Sequence, residues 1–319
     1  MKTIAFHDNN LCLRGTTNAM FDYADYNEKI LGNKSIIVSS PNVNLDAIDK
    51  FKHRFGENNI HLMDFYYYHS VLPKLDVDYL YIIKGGGASD GLYLSNIPTL
   101  IHVVFRSNEP HGHKYKYVSD WLAKDQGYDP INHSVPHMIK RLPEPNYNLR
   151  EELGIGKDKI VFGYHGGSTE FNHRDAHKVV KRIVAERNDI YFVFMNIEKF
   201  HSDHPNILHL APTWDMHKKS AFIECCDAML HARSGGETFG CSVAEFSIMN
   251  KPVVTFGLSG EASHLEILGN RAIIYNSYDE LYDILNNLKS YIKYSDYYKA
   301  YDDYSPEKIM ERFDKNFLN

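Results

Sequence analysis

Two carboxylates lie eight residues apart in a segment built to hold an anion. The segment reads Ala228-Met-Leu-His-Ala-Arg-Ser-Gly-Gly-Glu237-Thr-Phe-Gly-Cys-Ser-Val-Ala-Glu245, and it runs on to Asn250-Lys251-Pro252. An apolar run ends near His231, and a loop with Ser234, Gly235 and Gly236 follows. The pattern then predicts a helix opening around residues 238–240 and ending near Asn250. Strand, glycine loop and helix start make an anion site, because first-turn amides and the helix dipole face the ligand. Small residues at Gly240, Cys241 and Ser242 let a phosphate approach the backbone. A carboxylate beside that phosphate would be repelled, so Glu237 and Glu245 suit hydroxyl groups on either side of it. Their separation is roughly 12 Å if helical throughout. A nucleotide-sugar offers such hydroxyls on its sugar and on its ribose. The competing reading is a plain helix with two solvent-facing glutamates.

Other glycine turns follow apolar runs. Residues 160–164 lead into His165-Gly166-Gly167-Ser168, a turn that again suits close approach to phosphate. Residues 3–7 lead into Asp8 and then Arg14-Gly15-Thr16-Thr17. Gly85-Gly86-Gly87 follows the run 79–83 but lacks the spacing of a dinucleotide or P-loop motif. It reads as a further turn at a strand end, suited to an acceptor side. Residues 99–105 lead into Arg106 and His111-Gly112-His113, where His111 is the nearer to the strand end. Trp214 and Tyr66-Tyr67-Tyr68 read as packing residues.

The elements that must carry these turns alternate along the chain. Strands are predicted at 3–7, 35–38, 61–63, 79–83, 99–105, 160–164, 191–195, 207–210, 228–231, 253–256 and 272–275. Most are unbroken apolar runs, as in parallel strands buried on both faces. Helical patterns such as 176–186 and 279–288 lie between them, which implies βαβ units. Leu142-Pro143-Glu144-Pro145 marks a seam. We expect an α/β chain of two Rossmann-like domains, residues 1–140 and 141–300. Ser305-Pro306-Glu307 starts a last helix, with Ile309, Phe313 and Phe317 on one face. That face wants a partner, which the second domain or the first could supply.

The motif Glu237-x7-Glu245, in the setting S-x-x-E-x-F-G-x-x-x-x-E followed by Lys251-Pro252-Val-Val, resembles the retaining GT-B glycosyltransferases of the family 4 type. The order of elements matches over nearly the whole chain. The resemblance implies a GT-B fold, two Rossmann-like domains facing across a cleft, with segment 301–319 crossing back to the first. It implies that Glu237 contacts the donor sugar and Glu245 holds the ribose. Thr238 and the amides of Phe239, Gly240 and Cys241 would meet the diphosphate, as would Gly166 and Gly167. Gly15 and Thr16 correspond to the first GT-B loop, whose glycine lies against the donor phosphate and the acceptor, so both are expected to bind the donor, and His111 corresponds to a histidine that reaches the sugar. The family's turn after residue 163 usually reads Gly-Arg with a Lys further on. Here Tyr164 takes the Arg place, so Arg174 or Arg233 is expected to supply the charge. The donor would sit on the second domain and a glycan or small hydroxyl acceptor on the first. The departing phosphate would itself help take the acceptor proton.

Composition bounds the alternatives. The 319 residues carry a net charge of -6, which disfavours a general nucleic-acid binder and strong attraction to an anionic membrane, a local patch excepted. No run suits a signal peptide or a spanning helix, so a cytoplasmic location is expected. The four cysteines, Cys12, Cys225, Cys226 and Cys241, form no CxxC pair. The 18 histidines are scattered, and no Asp-x-Asp stands at a suitable strand end, so neither a metal nor another cofactor is expected. Two rivals remain. One is a nucleotide-sugar epimerase of the same fold, and the other an inactive protein that binds sugar nucleotides or glycans.

Overall fold

The computed structural model describes residues 1–12, 14–293 and 296–319. It divides the chain into two compact units, residues 1–138 with 304–319 and residues 139–303.

The first unit holds six parallel strands: β1 (Thr3–Asp8), β2 (Lys34–Ser39), β3 (Ile60–Leu62), β4 (Tyr79–Lys84), β5 (Thr99–Val103) and β6 (Lys114–Tyr117). Their order is β3-β2-β1-β4-β5-β6, so the winding reverses between β1 and β4. Ile4, Ala5, Phe6, Leu80, Tyr81 and Ile82 are fully buried, which explains why β1 and β4 read as unbroken apolar runs. The helix Gly15–Lys29 covers the sheet with Met20, Tyr23, Ala24 and Asn27, residues at helical spacing on one side.

The tail completes this unit. Ser305 is extended, Pro306 takes the first helical position, and helix Pro306–Phe313 buries Ile309, Met310 and Phe313. The Phe313 ring lies 5.3 Å from Tyr23 and 6.5 Å from Phe6, and Phe317 lies 5.9 Å from Tyr81. Each such buried ring contributes roughly 1.5–3 kcal/mol. Arg312 fixes the helix by donating to Ser134 O at 2.9 Å and pairing with Asp120 at 2.5 Å.

The second unit repeats the plan with β7 (Ile160–His165), β8 (Ile190–Met195), β9 (Ile207–Leu210), β10 (Ala228–His231), β12 (Val253–Phe256) and β14 (Ala272–Tyr275). The order β14-β12-β10-β7-β8-β9 places the reversal between β7 and β10. A separate ladder joins β11 (Gly236–Glu237) to β13 (Glu261–Ala262). Helix Arg174–Glu186 buries Ala176, Val179, Val180, Ile183 and Val184, an unbroken helical stripe.

Several expectations shift in detail. The strand expected at 99–105 ends at Val103, and Phe105 is 53% exposed. The helix expected at 279–288 is two, Tyr278–Asn286 and Leu288–Tyr291, broken where Asn287 leaves the helical region. Tyr68 is buried as a packing residue should be, but Tyr66 and Tyr67 are exposed.

Candidate active site

In an open parallel sheet, ligands bind beyond the carboxyl ends of the strands where the winding reverses. In the second unit that place is the end of β7 and β10. His165 ends β7 and is followed by Gly166 and Gly167, and His231 ends β10 and is followed by Arg233. The chain then turns through β11, which pairs Gly236 with Glu261 and Glu237 with Ala262. Only glycine suits position 236. Its φ is 82°, and a Cβ there would meet Glu261 O at 1.9 Å.

This ladder fixes Glu237. His231 Nε2 lies 3.1 Å from Glu237 Oε1, and Arg233 Nη1 lies 2.8 Å from Oε2. Burial opposes the charge of Glu237, but the His231 hydrogen bond and the Arg233 charge outweigh it and hold the carboxyl below its ordinary range. Arg233 also pairs with Glu170, so its guanidinium is shared between two carboxylates. Tyr164, in the place expected for an arginine, is buried beneath this pair.

The helix that carries Glu245 is Cys241–Ile248, starting slightly later than expected. Gly240 caps it with φ 91°, and the helix has no side-chain cap. A bare start suits an incoming anion, since first-turn amides lack acceptors within the helix. Phe239 is buried, and its carbonyl accepts from Tyr301 Oη at 3.1 Å. Thr238 and Cys241 are half-buried beside it. At the far end Asn250 has φ 59°, with Asn250 N bonding Ser247 O and Lys251 N bonding Phe246 O, so the helix stops before Pro252.

Glu245 sits on this helix between two nitrogen bases. Lys219 Nζ lies 2.8 Å from Oε1, and His165 Nε2 lies 3.0 Å from Oε2. Burial again opposes ionisation, yet Lys219 and His165 bring the Glu245 pKa down to about 2. A carboxylate has about four lone-pair sites, so hydroxyls can still be bound. Arg174 is exposed at the first position of its helix, on an element apart from the Arg233–Glu237 pair.

The first unit brings other expected residues to its own reversal point. Gly15 is exposed and Thr16 half-buried, at the start of helix Gly15–Lys29. Beside them Thr17 Oγ1 donates to the buried Asp8 Oδ2 at 2.6 Å, and burial raises the Asp8 carboxyl. His111 has both ring nitrogens engaged. Nδ1 faces Glu109 O at 2.7 Å, so it donates, and Nε2 accepts from Lys84 Nζ at 2.9 Å. Lys84 ends β4 with a side chain only 1% exposed and pairs with Asp90.

The sequence reading missed Lys84, His165, Lys219 and His231. Lys84, His165 and His231 carry a usable signal, a polar residue closing an apolar run. Lys219 carries none, because Lys218-Lys219 reads as a solvated helix face.

No family model and no curated protein matches the chain in sequence. Solved structures do match in fold. A glycosyltransferase from Rickettsia africae superposes with TM-score 0.64 at 15% identity, over 99% of this chain and 95% of that one. Anabaena HepE, in complex with UDP-glucose, gives 0.64 at 12% identity over 99% and 96%. A putative UDP-N-acetylglucosamine 2-epimerase from Listeria monocytogenes gives 0.59 at 12% over 98% and 95%. With two parallel six-stranded sheets wound alike and matched over almost their full length, the chain has the GT-B fold.

Proposed function

We propose that this chain is a metal-independent, retaining glycosyltransferase that moves a sugar from a nucleoside-diphosphate sugar to a glycan or other hydroxyl acceptor. The observation that carries the reading is the treatment of Glu237 and Glu245. Both carboxylates stand at the reversal point of the second sheet, each is held ionised by a basic partner, and a bare helix start lies between them. Two fixed acceptors flanking an anion site suit a ligand with hydroxyls on both sides of a diphosphate. The donor lies on the second unit: Glu237 receives a hydroxyl of the donor sugar and Glu245 those of the ribose. The amides of residues 239–241 and the Gly166-Gly167 turn stabilise the diphosphate as it departs. The first unit receives the acceptor, with Gly15 and Thr16 meeting the donor phosphate and His111 the sugar. Because Nε2 of His111 already accepts from Lys84, its contribution is placement rather than proton removal.

Among the described residues no helix is long and apolar enough to cross a membrane. A cytoplasmic location completes the reading.

The Listeria epimerase of the same fold supports one competing reading, isomerisation without an acceptor. Incubation with radiolabelled UDP-, GDP- and ADP-sugars separates the two. We expect label in a glycan or alcohol acceptor with retention at the anomeric carbon. Isomerised nucleotide-sugar without transfer overturns the reading in favour of the epimerase, and binding without turnover overturns it in favour of an inactive binder.

A further inference from the structure

Behind Glu237 the second unit buries a file of three polar side chains. His231 Nδ1 lies 2.8 Å from Thr255 Oγ1, and Thr255 Oγ1 lies 3.0 Å from His264 Nε2. His231, Thr255 and His264 are each 0% exposed. They come from β10, from β12 and from helix Ser263–Leu268. The file ends at His264 Nδ1, which is buried without a hydrogen-bond partner.

The direction of each bond can be worked out. An ionised carboxylate only accepts, so His231 Nε2 carries its proton toward Glu237 Oε1. Were Nδ1 of His231 to donate as well, Thr255 would have to pass its hydroxyl proton to His264 Nε2 or leave it unpaired, so Nδ1 accepts and the donor is the Thr255 hydroxyl. Having given its proton to His231, Thr255 Oγ1 accepts from His264 Nε2. Burial brings the His264 pKa down to about 3, so at neutral pH it is uncharged and its Nδ1 bears only a lone pair. The opposite sense would leave an N–H at that buried atom with no acceptor, and a buried orphan donor is costly. Every link therefore runs one way, from His264 through Thr255 and His231 to Glu237.

We propose that Thr255 and His264 are positioning residues for the transfer reaction, locking His231 as a donor at Nε2 and thereby orienting Glu237 toward the donor sugar. The inference rests on the donor-binding role given to Glu237 above. A file of bonds that all run one way leaves His231 a single ring orientation and a single tautomer. Glu237 Oε1 is thus pinned by His231 while Arg233 holds Oε2, and the free lone pairs keep one direction. A shift of about 1 Å in a reacting group can cost about 10²-fold in rate.

Two measurements on the full chain test this. The first needs no turnover. In ¹⁵N-labelled protein at neutral pH, both His231 and His264 should appear as the neutral Nε2–H tautomer. Finding His264 as Nδ1–H overturns the file. The second is kinetic, with the donor identified in the transfer assay. Thr255→Val keeps the shape but removes the hydroxyl, and kcat should fall roughly tenfold while the donor KM changes less than twofold, with Thr255→Ser restoring the rate. Circular dichroism checks that Thr255→Val folds, and the Ser variant stands if it does not. Wild-type kcat in folded Thr255→Val, or no recovery in Thr255→Ser, overturns the positioning role. A Glu237→Gln enzyme at the wild-type rate instead brings down the underlying assignment, and the positioning role with it.

Discussion

Lys219 Nζ stands 2.8 Å from Glu245 Oε1, with side chains only 13% and 17% exposed. The partner residues come from the helices Met216–Cys225 and Cys241–Ile248 and meet beside the end of β7. The pair gives the second unit an acid-sensitive contact. The folded pKa of Glu245 is depressed to about 2 from 4.5, so its stabilising effect is complete above about pH 4.5 and is lost as pH falls toward 2. Glu245→Gln removes that dependence. Thermal melts between pH 6 and 3 should fall less steeply for the variant than for the wild type. Equal slopes would show that Lys219 and His165 do not hold the carboxyl down.

Glu237→Gln should cut transfer by about 10²-fold or more without loss of fold, since an ionised acceptor becomes a neutral amide. Steady-state kinetics and circular dichroism check the two halves. Transfer at the wild-type rate would remove Glu237 from the donor-sugar role.

Nucleotide binding should be local. On adding UDP, amide hydrogen exchange should slow in residues 231–245 and 163–168, where the bare helix start and the Gly166-Gly167 turn lie. Protection confined to residues 1–140 would exchange the donor and acceptor halves.

Activity should survive EDTA. The proposed charge stabilisation comes from amides and side chains, with no step through a divalent ion. Loss on chelation, restored by Mn²⁺ or Mg²⁺, would place the reaction in another mechanistic class.

Gly236→Ala should disrupt the β11–β13 ladder. The added methyl meets a backbone carbonyl at 1.9 Å at a φ of 82°, so the backbone must move and Glu237 moves with it. Strain at such positions costs about 1–3 kcal/mol, and a chain of this size loses roughly 2–4 °C per kcal/mol. Differential scanning calorimetry reads the shift, and an unchanged Tm with unchanged kcat would show the ladder to be dispensable.

The main elements were legible because parallel strands covered on both faces write themselves as apolar runs, and all eleven predicted runs are strands. The glycine loop before Glu237 was legible for a local reason, since small residues and a helix stop lie within one segment. β6 left no apolar run to read, because Lys114, Tyr115 and Lys116 are partly exposed at the sheet edge. The ladder of β11 with β13 and the file behind Glu237 were not legible. Their partners are brought together by tertiary structure, Thr255 and His264 lying 24 and 33 residues beyond His231. A histidine in isolation looks the same whether it is solvated or buried. The cation beside Glu245 was hidden likewise, because nothing local distinguishes Lys219 from Lys218.

The returning tail sets an order of events during synthesis. The first unit draws Phe313 and Phe317 into contact with Phe6, Tyr23 and Tyr81, so its core cannot close until residues 304–319 have left the ribosome. The second unit is continuous from residue 139 to 303 and needs none of them. Domains generally fold from the N-terminus onward as the chain emerges. Here the later-made unit can finish first, while the earlier one waits with part of its apolar surface open. That interval is when this chain most needs protection from aggregation.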